Sequence, residues 1–192
     1  MSLHEQCVGV TDEWYTPPYV FDAMGMRFDL DVAAPRFLDW IPADRFITSA
    51  SLAQEWSGFV WMNPPFGGRN GLVPWLDKFI AHGNGVALVP DRTSAPWWQA
   101  VAPKMGALLF VSPKIKFIGE DGRPGNSPAQ GTTLMAMGKK GLFALWNARQ
   151  RGLGICVYPS PWVRECGSFS ADQATHRTVV GKIRRMEIRN VA

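Results

Sequence analysis

Short apolar runs alternate with stretches of helical periodicity along much of this chain, and this alternation restricts its fold more than any other feature. The runs typical of strands are residues 28–32, 59–62, 86–89 and 107–111. Apolar residues at helical spacing predict helices between them at residues 72–83 and 94–104. Strands separated by helices of about ten residues indicate a mostly parallel sheet with helices on both faces. We therefore expect an α/β fold.

Turn residues place the remaining elements around this alternation. A helix begins near Pro17 and Pro18 and ends near Gly25. Residues 33–58 look irregular, apart from a short helix near Leu52. The later segments are a glycine-rich loop at 119–131, a strand at 132–137, a helix at 141–150, a strand at 155–158 and a basic helix at 171–186.

Composition narrows the class of protein. With 192 residues and 46% hydrophobic content, the chain can form one domain with a modest appendage. Its apolar runs are far shorter than the roughly 20 residues that cross a bilayer, so we expect no membrane span and a cytoplasmic location. The scattered Cys7, Cys156 and Cys166, together with three isolated histidines, predict free thiols and no metal site.

Positive charge is concentrated at the C-terminal end. Residues 1–138 carry 10 Lys and Arg against 13 Asp and Glu, whereas residues 139–192 carry 10 against 3. Such a segment suits a polyanion such as nucleic acid, although a solvated charged face would have the same composition. The chain then divides into residues 1–160 and a basic extension, 161–192. The candidate DNA-contacting residues in the extension are Arg177, Lys182, Arg184, Arg185 and Arg189.

The segment at 59–68, FVWMNPPFGG, predicts a binding loop at the end of a buried strand. In an open α/β sheet, ligands bind beyond the carboxyl ends of the strands. Pro64 and Pro65 have fixed φ angles and no N–H, so this stiff loop can present carbonyl acceptors beside the carboxamide of Asn63. Two acceptors next to the ring of Phe66 suit a planar base that carries an exocyclic NH₂ group.

Three motifs, in the same order, make this chain resemble phage-type DNA N6-adenine methyltransferases. They are the segment EWYTPP at residues 13–18, the segment FDLDVAA at 28–34 and the NPPF loop at 63–66. The likeness also includes Lys116 and Phe117, so it covers roughly residues 13–137. It implies a Rossmann-like class I methyltransferase domain, S-adenosylmethionine as cofactor and adenine in DNA as substrate, and it suggests a phage or prophage gene acting in a bacterial cell.

The resemblance also implies roles for individual residues. Trp14, Tyr15, Thr16 and Pro17 would form the loop that closes over the cofactor. Asp31 would lie near the methionine ammonium group, with Asp29 as a companion. The implied catalytic residues are Asn63, Pro64, Pro65 and Phe66. Asn63 and the Pro64 carbonyl would hold the N6 amine, and Phe66 would stack on the base. The acid that binds the ribose stays unassigned, with Asp44 as one candidate.

Several alternatives stay open at this stage. Asp29 and Asp31 could be ordinary strand-end carboxylates, and Trp14 and Tyr15 could simply pack in the core. Arg92, Lys114 and Lys116 are candidates for DNA phosphate contacts, with plain solvent exposure as the alternative for the two lysines. The NPPF chemistry also allows cytosine N4, adenine in RNA or a protein glutamine as methyl acceptor. A nucleic-acid-binding protein without catalysis is a further possibility. The sequence predicts neither the recognition site nor the oligomeric state.

Overall fold

The fold is described from a computed structural model of the chain, for residues 14–34, 38–66, 71–119, 121–125 and 129–159. These residues fall in the first of two units into which the chain divides, Met1–Pro161. The predicted helix at 171–186 and the basic residues of the C-terminal extension lie outside the described ranges. No helix within those ranges is both long enough and apolar enough to cross a bilayer.

Four α-helices and six strands form the described part of the fold. In chain order they are α1 (Pro18–Met24), β1 (Leu30–Asp31), β2 (Val60–Met62), α2 (Val73–His82), β3 (Gly85–Pro90), α3 (Pro96–Val101), β4 (Ala107–Val111), β5 (Thr132–Met137), α4 (Gly138–Gln150) and β6 (Gly154–Val157). Short 3₁₀ turns at Ser51–Ala53 and Ala102–Lys104 complete the described elements.

The sheet is mixed, so the expectation of a mostly parallel sheet was wrong. Its strand order is β1-β2-β3-β5-β4-β6. β1 pairs with β2 and β2 with β3 in parallel, whereas the pairs β3–β5, β4–β5 and β4–β6 are antiparallel. The cause is the connection after β4. The described residues of segment 112–131 contain no crossover helix, so β5 turns back and inserts between β3 and β4.

Helices cover both faces of this sheet. Leu76 of α2 and Trp98 of α3 share a buried cluster with Val60 and Met62 of β2. Alternation along the strand directs Trp61 to the opposite face, where its ring lies 4.9 Å from that of Phe21 in α1. α4 packs on the same face as α1. A Cβ on its Gly141 would lie only 2.6 Å from the Gly85 carbonyl oxygen of β3.

An extended segment flanks β1 within the region that the sequence left irregular. Phe28 forms a parallel bridge with Ala43, and Asp31 forms another with Phe46. The Asp31 N–H donates to the Arg45 carbonyl at 2.8 Å, and the Ile47 N–H donates to the Asp31 carbonyl at 2.9 Å. β1 is therefore held on both sides although it is short. Residues 43–47 contain no apolar run that would have predicted this pairing.

The strand directions collect several loops at one edge of the sheet. β1, β2 and β3 are parallel, so their carboxyl ends lie at the same edge. β5 begins at that edge, because Thr132 pairs with Pro90, and β4 ends there, because Phe110 pairs with Thr133. We call this the carboxyl edge. It carries the loop that begins at Asn63.

Candidate active site

The NPPF loop leaves β2 at the carboxyl edge, with a parallel neighbour on either side of the strand. Asn63 is half-buried and Pro64 is buried, whereas Pro65 is exposed. Phe66 is a large apolar residue, yet 38% of it is exposed. An aromatic ring presented to solvent beyond a strand end is available to stack on a planar ligand.

The carboxamide of Asn63 is oriented by residues far away in sequence. Its Nδ2 donates to the backbone carbonyl of Trp14 at 3.4 Å and to Oγ1 of Thr16 at 3.3 Å. Both distances exceed the roughly 2.9–3.0 Å typical of N–H···O bonds. Since both bonds use the NH₂ group, the carbonyl oxygen Oδ1 points away from them and can accept from a ligand.

The segment that holds Asn63 is itself fixed at several points. Tyr15 and Ile118 exchange two backbone hydrogen bonds, each of 2.9 Å. The indole Nε1 of Trp40 donates to the Thr16 carbonyl at 3.2 Å, and the Trp40 ring meets that of Tyr15 edge-on. Tyr15, Thr16 and Pro17 are buried. The segment therefore forms a rigid support, with Tyr15 part of the core.

Trp14 lies over the glycine-rich loop. A Cβ on Gly125 would come within 2.6 Å of the Trp14 ring, so only glycine leaves room for the indole at its present position. Gly125 donates its N–H to the Phe117 carbonyl at 2.7 Å. The indole remains 43% exposed beside the NPPF loop. Sequence reasoning missed both Gly125 and Trp40, and no motif marked either of them.

Asp31 is a carboxylate buried at the carboxyl end of β1, with only 2% of the residue exposed. Its Oδ1 accepts from the Ala33 N–H at 3.0 Å. Burial raises the pKa of this carboxyl to about 7, partly offset by the Ala33 hydrogen bond. Neither ion pair found among the described residues includes Asp31. The site is therefore suited to a cationic group that would stabilise the ionised form.

The structure does not bring Asp29 and Asp44 to this site. Oδ2 of Asp29 accepts from the Phe59 N–H at 2.6 Å and lies 3.8 Å from Nζ of Lys140, at the amino end of β2. Asp44 pairs with Arg27 near the start of β1. These contacts give both carboxylates structural roles at the edge of the sheet opposite Asn63.

Three candidate DNA-contacting residues lie in loops that follow strands at the carboxyl edge. Arg92 Nε donates to Oε1 of Gln130 at 3.1 Å, and Lys114 Nζ donates to the Ala129 carbonyl at 2.8 Å. Lys116 is exposed beside the buried Ile115. β4 ends at Val111, so both lysines lie in the loop that follows it. The three cations therefore lie beyond the ends of β3 and β4, where a polyanion could approach.

Comparison with known proteins assigns the family. A family model described as DNA N-6-adenine-methyltransferase (Dam) matches residues 5–142, which is more than half of the chain. The chain belongs to this family. No curated protein and no solved structure matches it. The match covers both the buried Asp31 and the NPPF loop of this Dam-family chain, and it ends before the basic extension. The match confirms the resemblance to DNA adenine methyltransferases. It does not test the expected phage origin.

Proposed function

We propose that this Dam-family chain transfers a methyl group from S-adenosylmethionine to N6 of an adenine at specific sites in DNA, after the base has left the helical stack. The orientation of the Asn63 carboxamide is the observation that carries this proposal. With Nδ2 directed to Trp14 and Thr16, Oδ1 is left to accept at the carboxyl edge. When bound, S-adenosylmethionine supplies an electrophilic methyl group.

Two acceptors would hold the amine. Asn63 Oδ1 and the Pro64 carbonyl would each accept one N6 proton, and the nitrogen lone pair would then be turned out of conjugation with the ring. Phe66 would stack on the base. N6 would gain the methyl group as the bond from that carbon to sulfur breaks, S-adenosylhomocysteine would leave, and N6 would release one proton to solvent. The contribution of the protein is alignment of the amine, without a covalent enzyme intermediate, and such alignment can supply about 7–11 kcal/mol of the barrier.

The residues at the end of β1 fit the cofactor. A buried carboxylate with one backbone donor is a costly arrangement, and a positively charged ammonium group would offset that cost. We propose Asp31 as the residue that binds the methionine ammonium. The segment that supports Asn63 would also border the cofactor; it consists of Trp14, Tyr15, Thr16 and Pro17. Asp29 is not included, because its contacts lie at the amino end of β2.

DNA would approach the carboxyl edge from the side of the basic loops. Arg92, Lys114 and Lys116 would contact phosphates and fix the register of the duplex. Extruding the adenine costs a few kcal/mol, which stacking on Phe66 and the two hydrogen bonds would offset. Phosphate contacts by four residues of the extension remain predictions from the sequence: Arg177, Lys182, Arg184 and Arg185. The domain limits at residues 160 and 161 also remain predictions.

Product analysis tests this function. The protein is incubated with labelled S-adenosylmethionine and duplexes of varied sequence, and the modified base is located by mass spectrometry. We expect N6-methyladenine within a short recognition sequence. Label on cytosine would change the assigned base, and label on RNA or on a protein glutamine, when these are supplied instead of DNA, would change the assigned substrate. No uptake of S-adenosylmethionine would support a non-catalytic binding protein. The phage origin and cytoplasmic location implied by the motifs also stay predictions.

A further inference from the structure

We propose that Thr16 is a positioning residue for the catalytic carboxamide: its segment borders the cofactor, but its hydroxyl serves the transfer step. This inference rests on the proposed function, since it concerns how Asn63 is aimed at the amine. Thr16 lies 47 positions before Asn63 in the chain, yet its Oγ1 is 3.3 Å from Asn63 Nδ2.

The chemistry of the two acceptors fixes which way the carboxamide faces. The Nδ2 group has two protons, and the Trp14 carbonyl and Thr16 Oγ1 can each accept one of them. If the carboxamide turned by half a rotation, its own carbonyl oxygen would face the Trp14 carbonyl, and two acceptors would be opposed. Trp14 therefore sets the direction of the amide, and Thr16 holds its second proton.

Burial makes Thr16 a fixed partner rather than a mobile one. Only 1% of the residue is exposed, and its backbone carbonyl accepts from Trp40 Nε1. The preceding Tyr15 is held by its paired backbone bonds to Ile118. A hydroxyl on such a support can restrict the side-chain rotation of Asn63. Small misplacements of a reacting group are costly, because a shift of about 1 Å can reduce a rate by about a hundredfold.

Three substitutions separate this role from a structural one. Thr16→Val keeps the side-chain shape and removes the hydroxyl, whereas Thr16→Ser keeps the hydroxyl. Thr132→Val is the matched control. Thr132 is buried in β5, and its hydroxyl has no hydrogen-bond partner among the described residues. We expect Thr16→Val to lower kcat by about 10- to 100-fold. KM for DNA and Kd for S-adenosylmethionine should stay within about twofold, and Thr16→Ser and Thr132→Val should resemble the wild type.

A second measurement requires no turnover, and its first part requires no variant. In the cofactor-free wild type, NMR should show the two Asn63 Nδ2 protons as distinct and protected from exchange with solvent. In Thr16→Val, one of them should shift and exchange faster. Rapid exchange of both protons in the wild type would overturn the inference. This readout still decides the matter if Thr16→Val folds poorly.

The kinetic results that contradict the inference are equally specific. A folded Thr16→Val enzyme with wild-type kcat would overturn it. So would a more than tenfold weaker Kd for S-adenosylmethionine at unchanged kcat, because that result assigns the hydroxyl to the cofactor. A wild-type protein that methylates no adenine would instead refute the proposed function, while the NMR measurement would still test the contact.

Discussion

At the scale of a single residue, burial of Asp31 lowers the stability of the fold. Its carboxylate is removed from water and has one backbone donor, and burial raises its pKa to about 7. A folded protein holding an ionised group in such a place is less stable than one with a neutral group of similar shape. Buried ionisable groups that lower stability are common at binding sites, where function requires them.

The first prediction concerns the pH dependence of stability in Asp31→Asn. The unfolded carboxyl ionises near its ordinary value of 3.8, well below the folded pKa of about 7. The unfolded state therefore binds fewer protons between these values, and the stability of the wild type falls as pH rises through this window. Asp31→Asn should be more stable than the wild type at pH 8, by on the order of a few kcal/mol, with little difference at pH 4.

Denaturant unfolding at both pH values measures this difference. An equal stability difference between the two proteins at pH 4 and at pH 8 would contradict a raised pKa for the buried Asp31 carboxyl.

Cofactor affinity gives the second prediction at the same residue. Asp31→Asn should weaken binding of S-adenosylmethionine by at least about tenfold, since a charged hydrogen bond contributes roughly 1.5–3 kcal/mol. Asp29→Asn is the matched control, because it changes an acid on the same segment whose partners are Phe59 and Lys140. Isothermal titration of both variants compares them. Equal losses of affinity would place the two carboxylates in one site, against the present assignment.

At the scale of elements, the carboxyl edge follows from strand direction. Local sequence predicted β4 and β5 with their observed bounds, Ala107–Val111 and Thr132–Met137, because apolar runs between turn residues are local signals. α2 ends at His82, and Gly83 caps it in the left-handed conformation, as the glycine in the sequence indicated. Strand order was not predictable in this way. The insertion of β5 between β3 and β4 depends on pairing between distant segments.

The glycine-rich loop supports the third prediction. Gly125→Ala would place a methyl group against the Trp14 indole, displacing the segment that orients Asn63. We expect kcat to fall severalfold. Gly122→Ala is the control in the same loop, because a Cβ there meets no atom within 4 Å, although its φ of +76° adds strain of roughly 1 kcal/mol. If steady-state kinetics show equal kcat for both variants, the contact of Trp14 with Gly125 does not support catalysis.

The fourth prediction concerns the basic loops. Arg92→Ala and Lys114→Ala should each weaken DNA binding about equally for all sequences and reduce the slope of log K against log salt by about 1. Lys104→Ala is the matched control, since Lys104 is an exposed cation just before β4, at the opposite edge of the sheet. Fluorescence anisotropy over a range of salt concentrations gives the slopes. A slope unchanged in Arg92→Ala and Lys114→Ala would remove these residues from the interface.

At the scale of the whole molecule, negative charge prevails over residues 1–138 and positive charge over residues 139–192. The order of motifs identified the family because three short signatures had to occur in sequence, and the family match over residues 5–142 agrees with them. Sequence could indicate Asn63 and Phe66 through their motif. It could not show that Thr16 contacts Asn63, because that contact depends on how β2 lies beside the segment before α1.

Deleting residues 170–192 gives the fifth prediction. Loss of the basic extension should weaken DNA binding and flatten its salt dependence, because fewer counterions would be released. Methylation at saturating DNA should persist, since the NPPF loop and Asp31 lie in the retained part. Anisotropy and methylation assays on the truncated chain measure both effects. An unchanged salt slope would make the extension a solvated charged segment.

The most direct test of the central claim is the activity of Asn63→Ala, measured together with its affinity for S-adenosylmethionine. The amine-holding role predicts that methylation of adenine-containing DNA falls by at least about a hundredfold, as when one hydrogen-bonding group that stabilises a transition state is removed. The Kd for S-adenosylmethionine should stay within about twofold of the wild type. Wild-type turnover by a folded Asn63→Ala protein would contradict the account.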